Sequence, residues 1–308
     1  MMAVNLGKLK LKNPVMVASG TFGYAEEFSG FMDLRKLGAV ITKTITLKPR
    51  PGNPMPRTCE TPAGMLNSIG LENPGIEDFL KKKSDYLKKL KVPIIVSIAS
   101  EDSPDEFITL AKRLDKEYFV SAIELNISCP NIKKAGSKRK SEKLIAQDPK
   151  ATYDLVKKVR KATKKTLITK LSPNVTDITK IAMAAENAGS DTLSLINTLG
   201  AMSIDILNKK PKLAAITGGL SGPAIRPVAL RMVWEAYRKV KIPLIGLGGI
   251  IDTESAIEFF LAGASAVAVG TGNFINPKTS LEIIEGIKKY LSANKIRDIR
   301  KITGALNI

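Results

Sequence analysis

Pro243-Leu244-Ile245-Gly246-Leu247-Gly248-Gly249-Ile250-Ile251-Asp252-Thr253-Glu254-Ser255-Ala256-Ile257 holds most of one structural unit. An apolar run suited to a strand ends at a glycine-rich turn. Asp252-Thr253-Glu254-Ser255 then supplies the start signals of a helix whose apolar residues begin at Ala256-Ile257. A second apolar run, 266–269, closes on Gly270-Thr271-Gly272-Asn273. Strand, glycine turn, helix and next strand form the pattern of successive βα units around a parallel sheet.

The same alternation extends outward through the chain. Runs at 14–19, 39–44, 93–97, 121–126, 167–171, 192–197, 243–247 and 266–269 read as eight strands, each expected to be followed by a helix. Ser103-Pro104-Asp105-Glu106, for example, opens an apolar-periodic stretch. Eight strands predict a closed (β/α)₈ TIM barrel, because closure removes the edges an open sheet must protect. The connections 45–73, 128–148 and 198–226 are too long for simple turns, and all follow the C-terminal end of a strand, where barrels place their active sites. With 308 residues, 44% of them hydrophobic, and no visible repeat, residues 1–308 are expected to form a single domain.

No stretch reaches the roughly 18 apolar residues of a membrane span, and Met1-Met2-Ala3-Val4-Asn5-Leu6-Gly7-Lys8 has no long apolar run before its charge. Two cysteines in different contexts, in a chain large enough to need no disulfide, suggest a reducing compartment, so a cytoplasmic protein without membrane attachment is expected. The net charge of +19 favours acidic partners. The lysines are scattered, however, as in Lys81-Lys82-Lys83, Lys157-Lys158 and Lys288-Lys289, without the interleaved aromatics of a single-strand-binding groove. Nucleic acid is therefore not the expected partner. With no histidine in the chain, any general acid or base must be Cys, Lys, Tyr or a carboxylate, and histidine-ligated metals and Ser-His triads are excluded. No metal site is expected.

Ser19, Lys43, Asn126, Lys170 and Asn197 are polar residues at the ends of apolar strands, positions that converge on one barrel mouth. A lysine there is costly to desolvate unless an anion or electron-rich ring lies beside it; the alternative is a side chain that snorkels to solvent. The glycine turns after the last two strands allow backbone N–H groups to approach a phosphate, and FMN, with its single phosphate, would suit them. Asn126-Ile127-Ser128-Cys129-Pro130-Asn131 sets amides that both donate and accept around a thiol that can carry a proton. A lone cysteine is often only a small buried hydrophobe, and asparagines often serve turns. Cys59, in a proline-rich insertion, carries no expected chemistry.

Asn67-Ser68-Ile69-Gly70-Leu71, Asn126 to Asn131, Lys170-Leu171-Ser172-Pro173-Asn174, Ile196-Asn197-Thr198-Leu199 and Gly218-Gly219-Leu220-Ser221-Gly222-Pro223-Ala224-Ile225 occur in order over nearly the whole chain. Together they resemble class 1 dihydroorotate dehydrogenase, and the last two segments resemble its 1B subclass. The resemblance implies oxidation of dihydroorotate to orotate in pyrimidine biosynthesis, with Cys129 taking the C5 proton while C6 gives hydride to FMN. It implies substrate contacts at Lys43, Asn67, Ser68, Ile69, Gly70, Leu71, Asn126, Asn131, Asn197 and Thr198. FMN contacts are implied at Ser19, Lys43, Thr44, Asn126, Lys170, Ile196, Gly222, Gly248, Gly249, Gly270 and Thr271.

The resemblance also implies a homodimer joined to a second, electron-transfer subunit in a heterotetramer. That partner would carry FAD and a [2Fe–2S] cluster and pass electrons to NAD, since this chain lacks clustered cysteines. The sequence departs from the family pattern at Ser97, where many relatives have an asparagine near the flavin, so Ser97 is left out of the expected contacts. The basic run Lys133-Lys134-Ala135-Gly136-Ser137-Lys138-Arg139-Lys140 reads either as a mobile lid or as a solvated charge run. Two rival enzyme classes share parts of these features. Dihydropyrimidine dehydrogenases tend to carry histidine after the Cys-Pro pair, where this chain has Asn131, and a phosphate-binding barrel without redox chemistry would lack flavin.

Overall fold

A computed structural model describes residues 1–101, 103–127 and 144–307. Eight parallel strands close into a barrel in chain order: β1 (Val15–Val17), β2 (Ala39–Ile41), β3 (Ile94–Ile98), β4 (Val120–Asn126), β5 (Thr166–Lys170), β6 (Thr192–Leu195), β7 (Leu244–Gly246) and β8 (Ala266–Val269), with β8 back against β1. Apart from Ser121, every residue in these strands is buried. That accounts for their continuous Val/Ile/Leu character: a parallel strand covered on both faces has no polar side to present. β1, β2 and β6 end a few residues before the apolar runs do, and among the residues that follow, 18–19, 43–44 and 196–197 line the cavity at the barrel mouth.

Outside the barrel lie α1 (Asp105–Asp115), α2 (Pro149–Ala162), α3 (Ile178–Asn187), α4 (Arg226–Tyr237), α5 (Thr253–Leu261) and α6 (Thr279–Ala293). Local chemistry sets their starts. The Asp148 carboxylate accepts from the N–H groups of Lys150 and Ala151 with Pro149 in the first position of α2, and Asp252 accepts from Ser255 N–H at 2.8 Å to open α5. Between β2 and β3, Gly75–Asp78, a π turn at Phe79–Lys83 and Ser84–Lys89 run on without interruption.

The expectation of a helix after every strand fails after β1. Residues 18–38 form two 3₁₀ turns, Glu26–Phe28 and Leu34–Lys36. Gly20, Gly23 and Ala25 all take positive φ there, a backbone state that no right-handed helix contains.

Two of the long connections build a platform over the C-terminal end of the barrel. Their strands form one antiparallel sheet in the order Leu199–Met202, Thr217–Ser221, Gly64–Asn67, Thr58–Thr61. The register sets Asn67 opposite Gly219. Glycine is required at 219, since a Cβ there would stand 2.0 Å from Thr198 Oγ1. At the other end, the hairpin Val4–Leu6/Leu9–Leu11 turns at Gly7 against Asp191, just before β6. Among the described residues no helix is long and apolar enough to cross a membrane, and no group of three or more Cys, Asp or Glu is placed to hold a metal ion.

Candidate active site

The C-terminal ends of the barrel strands and the platform sheet enclose a cavity of about 380 Å³. Its floor is built from strand exits: Ser19 after β1, Lys43 and Thr44 after β2, Asn126 and Lys170 ending β4 and β5, Ile196 and Asn197 after β6, Gly248 and Gly249 after β7, Gly270 and Thr271 after β8. Asn67, Ile69, Gly70, Leu71, Thr198 and Gly222 come in from the insertions. Elements far apart in the chain therefore bring the predicted residues to one place. Ser68 is the exception: it is fully buried, does not line the cavity, and its Oγ has no hydrogen-bond partner among the described residues. Cys129 and Asn131, together with the basic run 133–140, lie outside the described residues.

Lys170 is 4% exposed, and its ammonium donates to Ser19 Oγ at 3.1 Å. One neutral hydroxyl is a poor exchange for the water a buried ammonium gives up, so the site calls for electron density from a bound group. Lys43, half-buried on the same wall, has no side-chain partner among the described residues. Its backbone N–H is tied to Gly23 O at 2.8 Å, which fixes where its side chain leaves the chain.

The asparagines form part of a connected set. Asn126 Nδ2 donates to Thr44 Oγ1 at 3.1 Å, Asn197 Nδ2 donates to Asn126 Oδ1 at 3.3 Å, and Asn197 Oδ1 accepts from Thr198 N–H at 2.7 Å. Beneath Thr44, its Oγ1 lies 2.9 Å from Ser97 Oγ. Behind Thr198, Asn174 donates to the Thr198 carbonyl at 3.1 Å and accepts from Gly200 N–H at 2.8 Å. Asn67 donates to Gly219 O at 3.4 Å across the platform.

A second wall is glycine. Gly248, Gly249 and Gly222 have φ of +131°, +76° and +91°. A Cβ on Gly249 would stand 2.7 Å from Arg226 Cβ and 2.9 Å from Gly222 O, while one on Gly270 would meet nothing closer than Ala18 Cβ at 3.8 Å. The N–H groups of Gly248, Gly249 and Gly270 have no protein acceptor among the described residues. The short helix Gly272–Ile275 starts beside them. Free N–H groups on side-chain-free backbone next to a helix start make an anion cradle. A buried cation over one part of the cavity and a phosphate cradle at another fit a flavin mononucleotide.

Reasoning from sequence missed several lining residues. Arg57 and Glu72 form an ion pair in the wall, and Met65, Ser221 and Phe274 also contribute. Ser221 accepts from Thr271 Oγ1 at 2.8 Å and so links the platform to the last glycine turn. The signal that could have found Arg57 is the turn-forming Pro62-Ala63-Gly64 between Thr58–Thr61 and Gly64–Asn67, which marks a hairpin and places Arg57 beside Asn67's register partner, Thr58.

The family described as Dihydroorotate dehydrogenase matches residues 1–291. The chain is 54% identical over 305 residues to the "Dihydroorotate dehydrogenase B (NAD(+)), catalytic subunit" of Trichlorobacter lovleyi, covering 99% of this chain and 98% of that protein. It is 53% identical to the protein of the same description from Pelobacter propionicus, again over 99% and 98% of the two chains. With the Caldicellulosiruptor bescii protein so described the identity is 50%, over 99% of each chain.

Proposed function

The chain belongs to the dihydroorotate dehydrogenase family, and from that premise we propose that it is the FMN-dependent catalytic subunit that oxidises dihydroorotate to orotate in pyrimidine biosynthesis. The observation that carries this reading is the Lys170 ammonium, 4% exposed with Ser19 Oγ as a partner, in the same cavity as glycine N–H groups that have no acceptor among the described residues. A neutral, phosphate-free ligand would leave both unmatched.

The roles divide by chemistry. Gly222, Gly248, Gly249, Gly270 and Thr271 hold the phosphate of FMN, and Ser19, Lys43, Thr44, Asn126, Lys170 and Ile196 hold its ring. When bound, FMN supplies the two-electron acceptor for the hydride leaving C6 of the substrate. Cys129 Sγ takes the proton from C5, and a thiolate suits that task in a chain without histidine. Lys170 places fixed positive charge where negative charge grows during the reaction, and Ser19 keeps it there. Asn67, Asn126, Asn131 and Asn197, with Ile69 to Leu71 and Thr198, read the amide edges of dihydroorotate, while Ser68, buried behind the cavity wall, does not. Lys43, with no protein partner among the described residues, pairs with its carboxylate.

Residues 1–308 act as one domain in this reading. Electrons leave for NAD through a partner subunit bearing FAD and a [2Fe–2S] cluster, in a heterotetramer around a homodimer of this chain, in the cytoplasm. Support comes from the relatives' description as NAD-linked catalytic subunits, and from two cysteines being too few to ligate a cluster here.

Mixing the yellow purified protein with substrate in the absence of air tests the proposal. Dihydroorotate should bleach the flavin and dihydrouracil should not. Bleaching by dihydrouracil alone would refute the substrate, and a colourless protein would refute the flavin.

A further inference from the structure

Ser97 belongs to β3, is fully buried and does not line the cavity. Among the described residues its Oγ has one partner, Thr44 Oγ1, at 2.9 Å. We infer that Ser97 is a positioning residue that turns the Thr44 hydroxyl into a one-way donor aimed at an acceptor atom of the bound flavin ring.

The direction follows from counting donors and acceptors. A hydroxyl has one hydrogen and two lone pairs. Among the described residues the Ser97 hydrogen can be satisfied at Thr44 Oγ1 alone, and leaving it unpaired in a fully buried spot would carry the desolvation penalty of an unsatisfied donor. Ser97 therefore donates to Thr44. Asn126 Nδ2 also donates to Thr44 Oγ1, and Asn197, donating to Asn126 Oδ1, fixes which end of that amide faces Thr44. With both lone pairs filled, the Thr44 hydrogen is left to the one open side of the residue, the cavity it lines. A hydroxyl that accepts two bonds also donates more strongly. Its ligand must be an acceptor without a hydrogen of its own, such as a ring carbonyl or an unprotonated ring nitrogen.

This inference rests on the flavin reading and is tested on the flavin-loaded protein by diluting it and following the rise of free-flavin fluorescence. Ser97→Ala should retain FMN roughly three- to tenfold less tightly, the scale of one polarised hydrogen bond. Ser97→Cys keeps the volume but is a weak donor, so it should follow Ser97→Ala and separate hydrogen bonding from packing. Thr44→Val should lose at least as much, and Ser97→Ala combined with Thr44→Val no more than Thr44→Val alone. Unchanged retention in Ser97→Ala, or losses that multiply in the double variant, would overturn the role of Ser97. Intact FMN retention with weakened orotate binding, read from the flavin's spectral shift on adding orotate, would overturn the assignment to the flavin. A wild-type protein that carries no flavin would instead remove the functional reading itself.

Discussion

A serine in place of Cys129 keeps the size of the side chain and changes its proton chemistry. Serine's hydroxyl is a far weaker base than a thiolate, and no histidine exists elsewhere in the chain to activate it. Cys129→Ser should therefore keep its flavin and lose about 10²-fold or more in the rate of flavin reduction by dihydroorotate near neutral pH, measured by anaerobic stopped flow. An unchanged rate would remove Cys129 from the mechanism. Residues of this kind were legible because their polarity contradicts their surroundings: Lys43, Asn126 and Lys170 interrupt apolar strands, and all three line the cavity. Ser68 shows the limit. Within an irregular insertion, which side chain faces the cavity is decided by a strand register set from 152 residues away, Asn67 against Gly219, and no local pattern carries that information. Ser97 was left out because it stands where many relatives have an asparagine, and its link to the cavity runs through Thr44 on a neighbouring strand's exit, which no local pattern shows.

Glycine turns and helix caps are the elements on which the site is mounted. Gly249 holds φ +76°, and a Cβ there would meet Arg226 Cβ at 2.7 Å at the start of α4. Gly249→Ala should cost about 1–3 kcal/mol through strained backbone and displaced neighbours, and should cut the FMN content of the purified protein. A thermal melt with a flavin assay checks both; full occupancy at unchanged stability would show that the turn needs no glycine. The next helix, α5, depends on Asp252. Burial pushes the Asp252 carboxyl up, but hydrogen bonds from the Ser255 side chain and N–H and the nearby Arg226 guanidinium outweigh it and hold the carboxyl below its usual range. A depressed folded-state value means that the cap's contribution is fully present above the unfolded carboxyl's value of about 4 and disappears as pH falls through the folded value. Asp252→Ala should lower the melting temperature by about 2 °C at pH 7, for a cap worth about 1 kcal/mol. The gap from wild type should close in acid below that range, and a constant gap down to low pH would contradict the cap's charge. Helix starts were legible from sequence, at the Asp252 cap and at Ser103-Pro104, where Ser103 Oγ accepts from Asp105 N–H at 3.2 Å. The absent helix after β1 was not, since apolar residues such as Phe22, Met32 and Leu34 suggest core packing without revealing that Gly20, Gly23 and Ala25 take positive φ.

At the scale of the whole molecule the closed barrel joins residues from 15 to 269 in one ring, and Ile299 N–H donates to Met1 O at 3.0 Å, which ties the first residue to the segment that follows α6. Over this frame the charge is uneven: 48 Lys and Arg stand against 29 Asp and Glu, and several of the acids are already held in ion pairs such as Arg57–Glu72, Arg113–Glu77 and Arg160–Asp191. The unmatched lysines leave a positive field that reaches beyond contact distance at low salt. A field of that kind acts on the encounter of macromolecules, where charges approach through water, and far less on chemistry inside a cavity shielded from ions. Electron transfer to a partner subunit at limiting concentration should therefore slow several-fold between about 50 and 200 mM salt, as the Debye length shrinks. Flavin reduction by dihydroorotate in the isolated subunit should change little over the same range, because Lys43 and Lys170 lie inside the cavity, where salt screens little. Following NAD reduction and flavin bleaching side by side separates the two. If both rates fall together, salt is acting at the substrate site; if neither falls, the surface charge has no part in partner docking.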